Sequence, residues 1–254
     1  MPALRAVLIA GNKVPFLASS SAVQFPASEI EKCHAGDVDC IAKTLPFILQ
    51  NYAQGIPEIG LTDIEKLSLD DVVLTKANPH SGVSLNLEFK KMYLHGISNL
   101  TVQRIVGFEK DPLNSKFELY ITIPNLVVDG EYISSGKVLI LPMDATGYAK
   151  IKLKNSKLSL KFKSEEVRKD GKQFIKIKDL KCKLTPELMK VKFENLFNGN
   201  EQLANSLNQL INDNWKVLYS DMEDQINDAV AKIVKRLLAG VLRVLPYDEF
   251  YGKD

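Results

Sequence analysis

From Leu196 to Phe250 the chain reads LFNGNEQLANSLNQLINDNWKVLYSDMEDQINDAVAKIVKRLLAGVLRVLPYDEF, a turn followed by a long amphipathic segment. The turn is NGN at 198–200, because glycine tolerates positive φ and asparagine can cap a helix by accepting from its first free N–H groups. Apolar residues then recur at helical spacing as far as Pro246, at Leu203, Leu207, Leu210, Ile211, Trp215, Leu218, Met222, Ile226, Val230, Ile233, Val234, Leu237, Leu238, Val241 and Leu242. This pattern predicts one helix about 60 Å long, whose apolar stripe must be covered along its whole length.

The region upstream of this segment, from Val83 to Phe193, alternates apolar and polar residues with a period of two. In the run VSLNLEF at 83–89 every second residue is apolar, as in a half-buried antiparallel strand. Similar runs are separated by turn signals such as Asp129-Gly130 and the KDG sequence at 169–171. Strands followed by one long helix, with no strand–helix–strand alternation, predict an α+β fold built on an antiparallel sheet.

The chain of 254 residues is 45% hydrophobic, which is enough for one sizeable core. No linker or low-complexity run follows Glu29, so residues 28–254 are predicted to form a single domain. Residues 1–27 are predicted to be a leader or a disordered segment. As a leader it is atypical, because the apolar run from Ala6 to Ala10 is shorter than the roughly 7 to 15 residues of a signal peptide. No apolar run is long enough to predict a membrane span.

The segment from Lys150 to Lys192 is strongly basic, with fourteen lysines and one arginine against five acidic residues in a chain of net charge +2. A nucleic-acid surface is one interpretation of such a block. The lysines mostly alternate with apolar residues, however, and the interleaved aromatic residues of a nucleic-acid surface are missing. The segment therefore predicts the solvated face of strands and no nucleic-acid binding. Transient contact with an anionic membrane or an acidic receptor is the remaining alternative.

Cys33 and Cys40 are near enough in sequence to form a disulfide. A metal site that includes His34 is the alternative, but four ligands at a characteristic spacing are absent from the sequence, so the disulfide is favoured. Cys182 follows the inward alternation of its strand and is predicted to be a small buried residue and not a reactive thiol. A glycosylation sequon, Asn-Leu-Thr, begins at Asn99.

The sequence contains no catalytic motif. The histidines His34, His80 and His95 form no H-E-x-x-H or other ligand set. The motifs G-x-S-x-G and G-x-G-x-x-G are missing too. Residues 130–137 resemble a phosphate loop, but five residues separate its glycines and Val138 replaces the Ser or Thr that would hold magnesium. Neither enzyme activity nor a metal or other cofactor is therefore predicted.

Four motifs carry a resemblance to a known family. They are LFNGN with the downstream N-x-x-I-N-D-N-W at 208–215, the closing LPYDEF at 245–250, DGEYISSGKVLILPMDATGYAKIKLKN at 129–155, and Cys33-x6-Cys40 followed by GIPEIGLTDIEKLSLDDV at 55–72. On these motifs the chain resembles the insect takeout and juvenile hormone binding protein family. Juvenile hormone binding proteins proper carry two disulfides, whereas this chain has cysteines for one, so it is similar to the takeout branch. The turn at 143–147 is less rich in glycine than is usual in the family.

The resemblance implies an elongated molecule with one long C-terminal α-helix wrapped by a strongly curved antiparallel β-sheet, with an internal apolar tunnel. It implies an extracellular, monomeric carrier of a small elongated hydrophobic ligand, such as a juvenile-hormone-like terpenoid, a fatty acyl compound or an isoprenoid. At about 25 cal/mol per Å², burial of a few hundred Å² of such a ligand supplies several kcal/mol. The candidate ligand-binding residues are Phe47, Ile48, Tyr52, Tyr132, Leu139, Leu141, Phe193, Leu207, Ile211, Trp215 and Leu218.

The alternative function is a non-enzymatic interaction module, with a core filled by side chains and basic strands that bind a partner. Ordinary core packing explains each candidate ligand-binding residue at least as well as a tunnel, because apolar and aromatic stripes usually lie in cores. Binding of an apolar probe would distinguish the carrier from the interaction module.

Overall fold

The alternating segments form strands of one antiparallel sheet. The computed structural model describes residue 30 and residues 32–78, 83–113 and 116–252, and the predicted leader, residues 1–27, lies outside this part of the chain. The strands are β1 (Lys66–Thr75), β2 (Val83–His95), β3 (Thr101–Val106), β4 (Phe117–Val138), β5 (Leu141–Pro142), β6 (Ala145–Lys169), β7 (Lys172–Thr185) and β8 (Leu188–Phe193). The α-helices are α1 (Val38–Asn51), α2 (Glu201–Asp213) and α3 (Trp215–Val244). Short 3₁₀ turns cover Pro57–Ile59, Ile97–Asn99, Leu196–Gly199 and Tyr247–Phe250.

The centre of the sheet is the pair of long strands β4 and β6, which are aligned from Phe117 opposite Phe162 to Ser134 opposite Ala145. On one side, β3 pairs with the first half of β4, β2 pairs with the second half, and β1 pairs with β2. On the other side, β8 pairs with the first half of β6 and β7 with the second half. The main strand order is β1-β2-β4-β6-β7, so β1 and β7 are its two edges. The predicted α+β fold with an antiparallel sheet is confirmed.

Bulges make the sheet curl without closing into a barrel. The register shifts between Phe89 and Lys91 in β2 and between Lys163 and Ser164 in β6, and an extra residue bends and twists a strand. Gly130 pairs with Met92 beside the β2 bulge, where an added Cβ would stand 1.9 Å from the carbonyl oxygen of Lys91. Only glycine allows so close an approach of the two strands beside the bulge.

The predicted long helix is present, but it is divided at Asn214 into α2 and α3. Asn214 has φ −109° and ψ 15°, and its side-chain amide donates to the carbonyl of Leu210 at 2.9 Å. Asparagine competes with the backbone for such carbonyls, which is why it is unfavourable inside a helix. Backbone hydrogen bonds from Asn214 to Leu210 and from Leu218 to Asn214 still cross the break. The 30 residues of α3 span about 45 Å.

α3 lies inside the curl of the sheet, because it packs against both edges, β7 and β1. The largest core cluster joins inward-facing residues of the sheet, such as Phe89 and Tyr132, to α2 and α3 through Leu207, Ile211 and Leu218. Apart from Leu203, which is 49% exposed, the apolar stripe predicted from the sequence lies on the face that the sheet covers fully or in part. None of the helices in the described ranges is long and apolar enough to cross a membrane.

α1 packs on β3, and a disulfide lies at its start. Cys33 and Cys40 are bridged with their Cα atoms 5.6 Å apart, which confirms the predicted disulfide. Asp37 caps the helix by accepting from the N–H of Cys40 at 3.0 Å. No residue of α1 is fully buried. The covalent bridge therefore supplies stability that core packing does not supply here.

The closing segment LPYDEF fastens the end of α3. Leu245 is fully buried beside Ile56 and Ile59, next to the turn that follows α1. Tyr247 is buried too, and its hydroxyl donates to the carbonyl of Glu109 at 2.6 Å. Burial raises the pKa of Tyr247 further above neutral pH, so the phenol keeps its proton and this hydrogen bond in alkaline solution as well.

Gly60 and Gly240 bring the turn after α1 into backbone contact with α3. A Cβ on Gly240 would lie 2.7 Å from the carbonyl oxygen of Gly60, and a Cβ on Gly60 would lie 2.2 Å from that of Gly240. Glycine inside a helix costs about 1 kcal/mol relative to alanine. The close contact explains why α3 nevertheless contains a glycine at this position.

We predict that Gly240→Ala lowers the free energy of unfolding by about 1 to 3 kcal/mol, because the new methyl group must displace the Gly60 backbone. This loss exceeds the gain in helix propensity. Urea unfolding followed by circular dichroism measures the change. Ala239→Gly, at the exposed neighbouring position of α3, is the control and should lose only about 1 kcal/mol of helix propensity. A Gly240→Ala protein more stable than the parent would contradict the close contact.

Cys182 is half-buried in β7 and packs against the largest core cluster, and burial raises the pKa of its thiol to about 11. Little reactive thiolate therefore forms at neutral pH.

We predict no rapidly reacting thiol in the native protein and one reactive thiol after unfolding without reductant, measured by titration with a chromogenic disulfide. Release of further thiols under those conditions would show that Cys33 and Cys40 are not bridged in solution.

Candidate functional site

Side-chain amides of α2 bind the backbone of the edge strand β8. Asn208 accepts from the N–H of Phe193 at 2.8 Å and donates to its carbonyl at 2.9 Å. Asn212 makes the same pair of hydrogen bonds with Val191, both at 2.8 Å. Four helical residues rise about 6 Å and two strand residues about 6.8 Å, so amides spaced by four match alternate peptides of the strand. The N-x-x-x-N spacing of the sequence motif thus docks α2 on the sheet.

α3 is tied to both edges of the sheet in a similar way. In β7, the carbonyl of Leu184 accepts from the hydroxyl of Tyr219 at 2.6 Å, and its N–H donates to Asn227 at 2.9 Å. After β1, the amide of Gln225 binds the N–H of Lys76 at 2.5 Å and its carbonyl at 3.2 Å. Burial raises the pKa of Tyr219, which keeps the donating proton in place. These bonds fix the rotation of α3 about its axis.

The interior next to α2 and the start of α3 is filled by side chains. Tyr132 is fully buried, its hydroxyl donates to the carbonyl of Glu194 at 2.8 Å, and burial raises its pKa to about 12. Its ring meets the ring of Phe193 edge-on, with centroids 5.0 Å apart. The structure brings seven candidate ligand-binding residues together in this cluster, five of them buried and Leu141 and Trp215 half-buried: Tyr132, Leu141, Phe193, Leu207, Ile211, Trp215 and Leu218.

The other four candidates lie elsewhere. Tyr52 packs against the small cluster of Ile56, Ile59 and Leu245. Phe47 and Ile48 are on α1, where Phe47 is exposed and Ile48 half-buried. Leu139 lies in the turn between β4 and β5 and is partly exposed. These four residues do not share one cavity wall with the seven in the core.

Further along α3 the apolar stripe is only half-buried. The buried residues of α3 are Leu218, Tyr219 and Ala229. Six apolar residues on its inner face pack against the core cluster but stay half-buried, namely Met222, Ile226, Val230, Ile233, Val234 and Leu237. We call them the half-buried stripe. The sequence placed them on the inner face but not in the site, because helical periodicity does not distinguish a filled interior from one that solvent reaches.

Clefts open on two different faces of the described structure. One, of about 230 Å³, lies between β1 and α3 and is lined by Leu69, Asp71, Val72, Val73, Ala229, Lys232, Ile233 and Arg236. Its floor includes Ile233 of the half-buried stripe. The other, of about 420 Å³, lies on the outer face of β3, β4, β6 and β7 and is lined by Gln103, Tyr120, Ile121, Thr122, Lys157, Leu158, Ser159, Lys183 and Thr185. None of the eleven candidate ligand-binding residues lines either cleft.

The outer face of the sheet is polar. The alternating lysines of β6, β7 and β8 are exposed there, as expected for the solvated side of strands. Asp129 is the buried acid of this face; its carboxylate accepts from the hydroxyl of Tyr148 and lies 3.1 Å from Nε2 of His95. The hydrogen bond to Asp129 raises the pKa of Tyr148 to about 12. Asn99, the first residue of the sequon, is exposed and accessible to a glycan.

We predict that Asn212→Ala lowers the free energy of unfolding by about 2 to 4 kcal/mol, because it leaves both backbone groups of Val191 without partners at a partly buried edge. Asn205→Ala is the matched control: the same substitution on the same helix at an exposed position, where we expect a change within about 0.5 kcal/mol. Chemical denaturation monitored by circular dichroism measures both. Equal effects of the two substitutions would show that the amide does not hold the edge.

Comparison with known proteins agrees with this architecture. The sequence model of the family described as haemolymph juvenile hormone binding protein matches residues 7–252. The circadian clock-controlled protein daywake of Drosophila melanogaster is 29% identical over 235 residues, which cover 91% of this chain and 89% of that protein. Its counterpart in Drosophila yakuba is 28% identical over 240 residues, with the same coverage.

A solved structure has the same fold. The crystal structure of Takeout 1 from Epiphyas postvittana superposes with a TM-score of 0.72 and 24% identity, over 87% of this chain and 98% of that chain. The resemblance that the sequence motifs indicated is confirmed, because the family match extends over nearly the whole chain. This protein belongs to the haemolymph juvenile hormone binding protein family, whose members bind small hydrophobic ligands.

Proposed function

We propose that this protein is a secreted carrier that holds one small, elongated hydrophobic molecule along the half-buried stripe of α3. The observation that carries the proposal is the incomplete burial of six apolar residues on the inner face of a helix that the sheet surrounds. A filled core would bury such residues fully, because protein interiors pack as densely as organic crystals. An apolar ligand would cover the stripe and remove its remaining surface from water.

The chemistry of the stripe favours an aliphatic ligand. Its residues are Met222 and five β-branched or leucine side chains. Cys182 of β7 packs against the same core cluster and is also half-buried. Covering these apolar walls with a ligand contributes about 25 cal/mol of binding free energy per Å² of apolar area removed from water. The walls offer few hydrogen bonds, so they select a ligand by its length and width more than by its polar groups. A terpenoid, a fatty acyl chain or an isoprenoid has this shape.

The ligand enters, in this proposal, through the cleft between β1 and α3. This cleft lies where the curled sheet stays open, and its floor of Leu69, Ala229 and Ile233 leads to the stripe. Asp71, Lys232 and Arg236 at its rim keep the entrance hydrated. At about 230 Å³ the cleft is smaller than the roughly 300 to 1,000 Å³ of ligand pockets. Entry therefore requires the edge strand β1 to move relative to α3.

The Cys33–Cys40 disulfide supports an extracellular location, because disulfides persist in oxidising compartments and are rare in the cytosol. The description of the matching family as a haemolymph protein agrees. In this environment the carrier would act by sequestering its ligand from water and from other surfaces.

The test is a fluorescence titration with N-phenyl-1-naphthylamine, an apolar dye that emits strongly in apolar surroundings. We expect saturable binding of one dye per protein, energy transfer from the single tryptophan, Trp215, and displacement by palmitate or a linear terpenoid. Ile233→Phe should weaken the affinity for the dye at least about tenfold, because the larger side chain fills the proposed site. Val217→Phe, on the same helix but 62% exposed, should bind like the parent. Native mass spectrometry with organic extraction then identifies the ligand that co-purifies.

Absence of saturable binding across a panel of apolar compounds, with the parent protein folded by circular dichroism, would contradict the carrier. An unchanged dye affinity in Ile233→Phe would move the site away from the stripe. In the first case the interaction module with a filled core, whose basic strands bind a partner, becomes the better assignment.

A further inference from the structure

The turn between β4 and β5 presents two large apolar residues to solvent. Val138 is paired with Leu141, so the turn consists of Leu139 and Ile140 alone. Ile140 is 89% exposed and Leu139 36%. Two-residue hairpin turns favour glycine, asparagine and aspartate, because these residues tolerate the backbone conformation that such a turn requires. A Leu-Ile turn is therefore unfavourable for two reasons: its apolar side chains are exposed to water, and its residues do not favour the backbone conformation of the turn.

The backbone of this turn is strained as well. Leu139 has φ 55°, in the left-handed region, where a bulky side chain is rarely found. Leu139 and Ile140 belong to none of the core clusters formed by the described residues. Core packing therefore does not account for the choice of residues. Strain that the fold itself does not require points to a function.

The outer face of β4 and β6 continues from this turn toward a group of lysines. Ile133 and Tyr148 come first, each 40% exposed. Beyond them Lys150 stands directly opposite Lys192, and Lys152 directly opposite Lys190. Like charges in directly opposed positions of a sheet destabilise it. We call the face from Leu139-Ile140 to these lysines the docking strip.

Two acidic residues, Asp129 and Glu131, lie on the docking strip beside basic side chains. Asp129 is engaged by Tyr148 and His95. Glu131 stands opposite Lys91 in the pairing of β4 with β2. Among the lysines, Lys192 pairs with Glu194 at 3.3 Å. Lys150 stands opposite Asp129, whose carboxylate is held by Tyr148 and His95. Within the described residues Lys150, Lys152 and Lys190 form no ion pair, so their charges remain available to an anionic partner.

We propose that the docking strip binds the surface of an anionic lipid bilayer. Leu139 and Ile140 enter the boundary between headgroups and acyl chains, and Tyr148 lies at the level of the headgroups. Lys150, Lys152 and Lys190 attract anionic headgroups, each contributing about a fivefold gain in affinity near the surface. From the turn to Lys152 the strip is roughly 40 Å long at about 3.3 Å per strand residue.

An acidic protein is the other occupant that the lysines alone would fit. The composition of the strip favours lipid, because lysine is a point charge without the planar fork with which arginine grips individual carboxylates. An acidic protein would also give no role to an exposed, strained Leu-Ile turn. A bilayer uses both parts of the strip at once.

The test uses co-sedimentation of the full chain, without ligand, with vesicles of phosphatidylcholine alone or with added phosphatidylserine. We expect binding to the anionic vesicles that weakens as salt screens the charges. The variant Lys150→Gln, Lys152→Gln, Lys190→Gln should bind about 100-fold more weakly. The variant Leu139→Gly, Ile140→Asn should bind at least about tenfold more weakly, yet melt at a higher temperature, because glycine relieves the left-handed backbone.

Two control variants remove matched groups outside the strip. Lys43→Gln, Lys216→Gln, Lys235→Gln removes the same charge at exposed positions, and Val217→Asn removes an apolar residue that is 62% exposed on α3. Both should bind vesicles with an affinity within about threefold of that of the parent.

Equal binding to neutral and anionic vesicles, or full binding by either strip variant, would overturn the proposal. Binding to polyglutamate that survives the turn variant, without vesicle binding, would assign the lysines to an acidic protein instead. Because no ligand is present, failure of the carrier function leaves this result unaffected.

Discussion

The free backbone groups at the edges of a sheet that curls without closing are the constraint on which the rest of this structure depends. A closed barrel pairs every strand on both sides, but this sheet ends at β1 and β7. Strand β8 pairs only with β6, so its other side is also an open edge. Side chains of α2 and α3 satisfy these edges at Val191, Phe193, Leu184 and Lys76. The helices therefore do more than fill the curl: they replace the strand that would have closed it.

This arrangement separates two parts of the interior. Toward α2, where two asparagines hold β8 close, Tyr132, Phe193, Leu207 and Ile211 fill the space completely. In the first half of α3, hydrogen bonds from Tyr219, Gln225 and Asn227 hold the helix to the two edges, at Leu184 and at Lys76. The apolar face between those edges stays half-buried. Because hydrogen bonds hold α3 to the edges of the sheet, the apolar space between helix and sheet can stay accessible without the two packing together completely. A carrier of a hydrophobic ligand needs such a space.

Much of the fold was predictable, since period-two and helical spacing report directly which side of an element faces inward. The break at Asn214 was not, because one asparagine within an otherwise regular apolar repeat carries no periodic signal. The positions of the half-buried stripe were read correctly as inner-face residues, but Ile233 and Leu207 look alike in sequence although only Leu207 is fully buried. That difference depends on what stands opposite each residue. The pairing of Asn212 with Val191 likewise depends on how two separate segments are brought together.

The residues that break local rules are as informative as those that obey them. A left-handed Leu139 in an exposed turn and lysines opposed across β6 and β8 each cost stability, and among the opposed lysines only Lys192 forms an ion pair within the described residues. Both lie on the outer face of the same long strands whose inner face lines the core. In a family that binds hydrophobic ligands, such costs on one continuous outer face are understandable if that face meets lipid while the inner face holds the ligand. The alternation of side chains along β4 and β6 would then serve both faces of the sheet. The outer face would bind lipid through charge, and the inner face would bind the ligand through apolar burial.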